Sequence, residues 1–241
     1  MILDSYGLSD IGKKRAKNED VIKTLDDHNF FAIADGMGGH KAGEIAAKEA
    51  IEEICDYIET LFSPKTKVPQ DKVVKHINFA IEKANQKVFY LSQNIQSFRG
   101  MGTTICCLYF NNNIVTYAHV GDSRIYLFRD NKLKQLTQDH SLLKKLSLDE
   151  KIKDPNKYKN IITKAIGTHF FIKPALNFEN FYKKDLYFMC TDGLSDFLSE
   201  MEIQDILKME KSKKTISKKL IDTAKKNGSN DNISTLLIEV K

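Results

Sequence analysis

The chain has 241 residues, 41% of them hydrophobic and 29% charged, enough apolar material for one large domain with a sizeable core. No Pro/Gly/Ser-rich linker or repeat divides it, no apolar run approaches the length of a membrane span, and MILDSYGLSD lacks a basic region followed by an apolar stretch. The net charge of +5, from 37 basic against 32 acidic residues, is concentrated in lysine stretches such as KMEKSKKTISKK, which read as solvated helix faces and not as a nucleic-acid surface.

In chain order, Glu19 and Asp20 of RAKNED open the strand-like VIKTL, and FFAIADGMGGHKAG follows at residues 30–43. The apolar run with its two leading aromatics reads as a buried strand ending at Asp35. Gly36, Gly38 and Gly39 suit a backbone that turns sharply or admits a close neighbour. Taken alone, Asp35 reads either as the cap of a helix starting near Lys41 or as part of a metal or phosphate site. Residues 41–62 place Ala47, Ile51, Ile54, Ile58 and Leu61 on one helical face, and residues 71–91 repeat the spacing with Val74, Ile77, Ile81, Ala84, Val88 and Leu91. Two long amphipathic helices are expected there.

The next runs, TTICCLYF, IVTYAHV, RIYLF and KLKQLT, are separated by NNN, GDS and RDN and read as a meander of antiparallel strands. After a lysine-rich irregular region come strands around LNFENF and DLYFMC, a helix pair within 200–227 and a closing strand, NISTLLIEV. Helices clustered between runs of hairpin strands imply an antiparallel α+β domain. The cysteines Cys55, Cys106, Cys107 and Cys190 show no CxxC spacing; neighbours Cys106 and Cys107 point to opposite faces of a strand, and all four read as core residues. A soluble, cytoplasmic protein is expected.

Acids recur where strands meet turns. Asp35 follows FFAIA, Asp122 follows AHVG, Asp192 follows LYFMCT, and Asp231 precedes NISTLLIEV. Four carboxylates on one rim would repel one another unless cations neutralised them, and an oxygen donor set points to magnesium or manganese rather than zinc. Periodicity alone does not bring them to one rim.

SDIGKKRAKNED, ADGMGGHKAGE, GMGTT, VGDSRIY, LTQDHS, CTDGLSD and NGSNDNIS stand in an order and spacing that resemble the metal-dependent protein phosphatases of the protein phosphatase 2C type, in their compact bacterial form. The resemblance spans nearly the whole chain. It implies a single catalytic domain over 1–241: a sandwich of two antiparallel sheets flanked by pairs of helices, with a flap that at about 141–166 reads as shorter here than in the family. It further implies a serine/threonine phosphatase acting on phosphoproteins; a monomer is expected, with no nucleic-acid or membrane partner, and a cognate kinase is a reasonable guess at a partner.

By the same resemblance Asp35 bridges two manganese or magnesium ions, the Gly36 carbonyl binds one of them, and Asp192 and Asp231 complete the direct ligands. Glu19 and Asp20 hold metal-bound waters, Asp122 with Asp192 holds a weaker third ion, and Arg15 grips the substrate phosphate. The implied reaction is direct attack on phosphorus by a hydroxide shared between the metals, without a phosphoenzyme.

Rival chemistries leave signatures that are checked directly. No cysteine has the downstream arginine of a thiol phosphatase, and GLSDIGKK at 7–14 imitates a P-loop but puts Lys14 where a hydroxyl should reach magnesium. A catalytically silent phosphoprotein-binding scaffold of the same fold is the alternative from another class. His40 lies beyond GMGG, out of register with the histidine of eukaryotic relatives, and Asp139 reads first as a helix cap. The chain departs from the bacterial pattern in the flap, where SLLKKLSLDEKIKDPNKYKN lacks a His-Pro pair. The lysines at 144, 145, 151, 153, 157 and 159 read either as a solvated surface loop or as charge that attracts acidic phosphopeptides.

Overall fold

Alternation along FFAIA decides the layering. Phe31 and Ile33 enter one core with Cys106 and Leu108, while Phe30, Ala32 and Ala34 enter another with Cys107 and Tyr109, so one strand serves two cores. In the computed structural model, which describes residues 2–38, 42–62, 68–142, 161–209 and 211–241, that strand is β3 (Phe30–Met37). It lies in a six-stranded antiparallel sheet ordered β2 (Asp20–Leu25), β3, β5 (Ile105–Asn111), β6 (Ile114–Val120) and β9 (Ala175–Asn180), with the short β4 (Gly102–Thr103) paired to β3. The second sheet is five-stranded: β1 (Leu3–Asp10), β11 (Ile233–Val240), β10 (Leu186–Cys190), β7 (Arg124–Arg129) and β8 (Lys132–Gln135).

The sheets face each other across a core that includes Phe31, Phe110, Tyr187, Met189 and Leu236. On the outer face of the six-stranded sheet lie α1 (Gly43–Leu61) and α2 (Gln70–Asn94), whose expected apolar stripes are buried at Ala47, Ile51, Ile54, Ile58, Ile77, Ile81, Ala84 and Val88. The five-stranded sheet is covered by α3 (Asp192–Ser195), α4 (Glu200–Leu207) and α5 (Lys213–Lys226), packed on Tyr126, Phe188, Cys190 and Leu237. The order of layers is therefore helices, sheet, sheet, helices, as expected.

The turns follow their residues. Asn112 and Asn113, and then Asp130 and Asn131, all have positive φ, the backbone a two-residue hairpin requires and asparagine and aspartate tolerate. Two expectations are corrected. Strand β3 does not end at Asp35: it runs on to Met37 because Gly36 and Met37 find partners in Thr103 and Gly102. Residues 3–10, for which no strand was expected, form an eight-residue strand on the edge of the second sheet. The P-loop reading fails with it, since GLSDIGKK leaves that strand through a turn toward β2 and enters no helix. No helix among the described residues is long and apolar enough to cross a membrane.

Candidate metal centre

The acids singled out by the sequence meet at one end of the sandwich. Pairing of β2 with β3 puts Asp20 directly opposite Asp35. Asp122 and Ser123 follow β6, and Ser123 Oγ lies 2.8 Å from Thr104 Oγ1, which in turn accepts a hydrogen bond from the Asp35 backbone N–H at 2.9 Å. Asp122 is thereby tied to Asp35. Thr191 Oγ1 donates to Asp20 Oδ2 at 2.9 Å and accepts from the Ser234 N–H at 3.1 Å, so the residue before Asp192 joins the two sheets. Asp231 is fixed through its neighbour: Asn232 Oδ1 accepts the Glu19 N–H, and Asn232 Nδ2 donates to the carbonyls of Ile11 and Lys17.

Close backbone approach explains the glycines. A Cβ on Gly36 would stand 2.1 Å from the Gly43 carbonyl oxygen and one on Gly193 only 1.9 Å from that of Asn232. Of the two expectations for Gly36, the close neighbour holds and the sharp turn does not: it lies within β3 and leaves room for the start of α1. Asp35 caps no helix, because α1 begins at Gly43 after Ala42 without a side-chain cap.

Electrostatically the site is strained in one direction. Loss of water pushes Asp20 up to about 7 and Asp122 up to about 8, with the Asp192 charge adding to both. Asp192 is pushed up to about 6 by the same loss of water and by Asp231 and Asp196. Asp35 lies well above the usual carboxylate range, again through lost water first and then Asp20, Asp192, Asp122 and Asp231. Asp20 and Asp122 are buried, whereas Asp35 and Asp192 each keep part of their surface open.

Asp20 Oδ1, Asp122 Oδ1 and Asp192 Oδ1 are buried with no hydrogen-bond partner. Three orphaned carboxylate oxygens within one cluster are costly unless something positive meets them. The donors are all oxygen, the set that suits magnesium or manganese. Among the described residues no three acid, histidine or cysteine side chains are drawn into a finished ligand cluster. Asp231 is turned toward a cation of the protein itself: Arg15 Nη2 lies 2.7 Å from Asp231 Oδ2. Arg15 is half exposed, at the mouth of a cleft of about 320 Å³ lined also by Lys14, Asp192, Asp196 and Asp231.

Glu19 is part-buried beside this pair, its carboxyl raised by lost water and lowered by Arg15. Asp139 holds Arg124 through three hydrogen bonds of 2.7 to 3.1 Å, and the helix it was expected to cap lies outside the described residues. His140 Nδ1 accepts the Gly121 N–H at 3.1 Å and so steadies the corner that carries Asp122. Thr104, Ser123 and Thr191 were not found by sequence reasoning; each lies next to or one residue from a motif glycine or acid, and hydroxyls carry no periodic signal. His40 and the flap lysines 144, 145, 151, 153, 157 and 159 lie outside the described residues. Cys106 and Cys190 are buried and held as thiols, Cys190 up to about 12, and supply neither ligand nor nucleophile.

A sequence model described as Protein phosphatase 2C matches residues 12–237. The chain is 32% identical over 240 residues to a protein of Listeria welshimeri named serine/threonine phosphatase stp, covering 96% of this chain and 93% of that one. Its fold superposes on the Streptococcus agalactiae serine/threonine phosphatase with a TM-score of 0.90 at 32% identity, covering 99% and 100% of the two chains. It also superposes on the catalytic domain of the serine threonine protein phosphatase PstP in complex with two manganese ions, with a TM-score of 0.87 at 29% identity, covering 100% and 99%.

Proposed function

Because the chain belongs to the protein phosphatase 2C family, we propose that it is a metal-dependent phosphatase that hydrolyses phosphoserine and phosphothreonine in proteins. The observation that carries this reading is the meeting of Asp20, Asp35, Asp122 and Asp192 at one end of the sandwich, with three orphaned oxygens and every carboxyl pushed toward its protonated form. The named serine/threonine phosphatases among its relatives, one of them with two manganese ions, support it.

In this reading Asp35, Asp192, Asp231 and the Gly36 carbonyl hold two divalent cations, manganese or magnesium. Asp122 with Asp192 holds a weaker third, and Glu19 and Asp20 orient water around the first two. When bound, the cations neutralise phosphoryl charge and lower the pKa of water enough for it to attack phosphorus at neutral pH. The protein's own contribution is orientation. Thr191 fixes Asp20 beside Asp192, Thr104 and Ser123 fix Asp35 relative to Asp122, and Asn232 fixes Asp231. Arg15, half exposed, exchanges Asp231 for the substrate phosphate, to which its planar fork presents two parallel donors. Reactions that phosphorylate serine and threonine, catalysed by a kinase, supply the substrate this chemistry consumes.

The test is phosphate release by chelated protein to which manganese or magnesium is returned, on phosphoserine, phosphothreonine and phosphotyrosine peptides. Turnover that follows the metal and favours the first two supports the reading. Phosphopeptide binding without turnover at any metal concentration would identify a silent scaffold instead.

A further inference from the structure

A groove of about 670 Å³ lies at the opposite end of the second sheet from the acids, where α4 hands over to α5. Its floor is apolar, made by Phe128, Leu186, Leu207 and Ile216. Its walls carry six lysines, at 184, 208, 211, 213, 214 and 241, against two acids, Asp4 and Glu239, among the described residues. Both acids are already engaged. Lys213 Nζ lies 2.8 Å from Asp4 Oδ2 and 2.8 Å from Glu239 Oε2, and Lys241 also reaches Asp4. Lys208 pairs outward with Asp205, while Lys184, Lys211 and Lys214 are exposed and meet no acid among the described residues.

The placement runs against helix stability. Lys213 and Lys214 occupy the first turn of α5, which holds no acid, so their charge adds to the positive end of the helix dipole. A floor of buried and half-buried aliphatic and aromatic groups beneath unneutralised ammonium groups is complementary to a segment that alternates acids with apolar anchors. No arginine lines the groove, and lysine point charges over an apolar floor fit a carboxylate-rich peptide better than a nucleic-acid backbone.

We propose that this groove docks an acidic, leucine- or phenylalanine-containing segment of the phosphoprotein substrate, away from the phosphorylated residue. The inference rests on the phosphatase reading for its consequence but not for the binding itself. Strand β1 links the two places: Asp4 borders the groove, and Asp10, six residues on, leads into the turn that carries Arg15, a span of about 20 Å at strand rise. A flexible linker of roughly 12 residues spans that distance, so docking raises the effective concentration of the phosphoresidue at the acids.

The experiment uses the full chain and a labelled, unphosphorylated peptide of glutamates and aspartates with two leucines, read by fluorescence anisotropy, so that it needs no turnover. Binding should weaken about tenfold or more in the triple variant Lys184→Glu, Lys211→Glu, Lys214→Glu, and should fall with added salt. In parallel, a phosphothreonine peptide joined to the same segment by about 12 residues should show a kcat/KM about fivefold or more above that of the unjoined peptide. That advantage should vanish in the variant while its melting temperature and turnover of an aryl phosphate stay unchanged. Unaltered peptide binding by the folded variant would overturn the proposal, as would equal binding of a single-stranded oligonucleotide or an anionic vesicle. Failure of the wild type to turn over any phosphate would overturn the phosphatase reading and leave the anisotropy result to judge the groove.

Discussion

Arg15 and Asp231 share an ion pair, Nη2 to Oδ2 at 2.7 Å, that joins the proposed phosphate grip to a proposed metal ligand. Two groups with separate tasks in the working site are each other's partner here, and the Asp231 hydrogen bond is the first reason the Arg15 pKa is raised. Replacing Arg15 with Ala should raise KM for small aryl phosphates and lower kcat/KM by about tenfold to a hundredfold. Manganese affinity, measured by titration calorimetry, should hold or tighten, because the competing cation has gone. A weakened manganese affinity would make Arg15 a structural support of Asp231.

Thr191 joins the sheets by donating to Asp20 and accepting from Ser234. Thr191→Val keeps the shape and removes the hydroxyl, leaving a buried carboxylate oxygen and a buried N–H without their partner. The variant should lose about 1 to 3 kcal/mol in urea unfolding of the metal-free protein. It should also need more manganese for half-maximal turnover, since Asp20 is freed. Unchanged stability would mean that water or a neighbour replaces the hydroxyl without cost.

The carboxyl cluster also sets a pH dependence. Loss of water on burial, with the neighbouring acids, pushes Asp192, Asp20 and Asp122 up to about 6, 7 and 8 in the folded protein from an ordinary 3.8, and Asp35 is raised as well. The folded state therefore binds more protons than the unfolded state, and the stability this contributes is complete below the ordinary value and lost as pH rises through the folded values. Metal-free protein should melt at a lower temperature at about pH 8 than at about pH 5. Manganese, which takes the deprotonated acids, should reverse the slope, and binding should release protons. A chelated protein that melts higher at the upper pH would contradict the crowding of these acids.

Much of this was legible beforehand, for physical reasons that differ by element. The stripes of α1 and α2 and the alternation of β5 at Cys106 and Cys107 follow from burial of one face or of two, which periodicity reports directly. Strand β1 escaped because LDSYGLSD has no fully buried residue and mixes polar with apolar residues on the sheet edge. The end of β3 was misplaced because its continuation depends on β4, some 65 residues further on, and local sequence carries no trace of that pairing. The acids were picked out by their position at turns. Their convergence was not, since it arises from register between strands distant in the chain, as in Asp20 opposite Asp35.

Hydroxyl residues and the Arg124 partner of Asp139 were missed for the same reason: a hydrogen bond across the sandwich leaves no spacing rule behind.

The most direct test is the anomalous scattering of manganese in crystals of the chain grown with the metal, read as peaks at the sandwich end. Two peaks among the Asp35, Asp192 and Asp231 carboxylates are predicted, as for the two-manganese relative, with a weaker third beside Asp122 that disappears in Asp122→Ala. Manganese found elsewhere, with these acids empty in a crystal of active protein, would contradict the account.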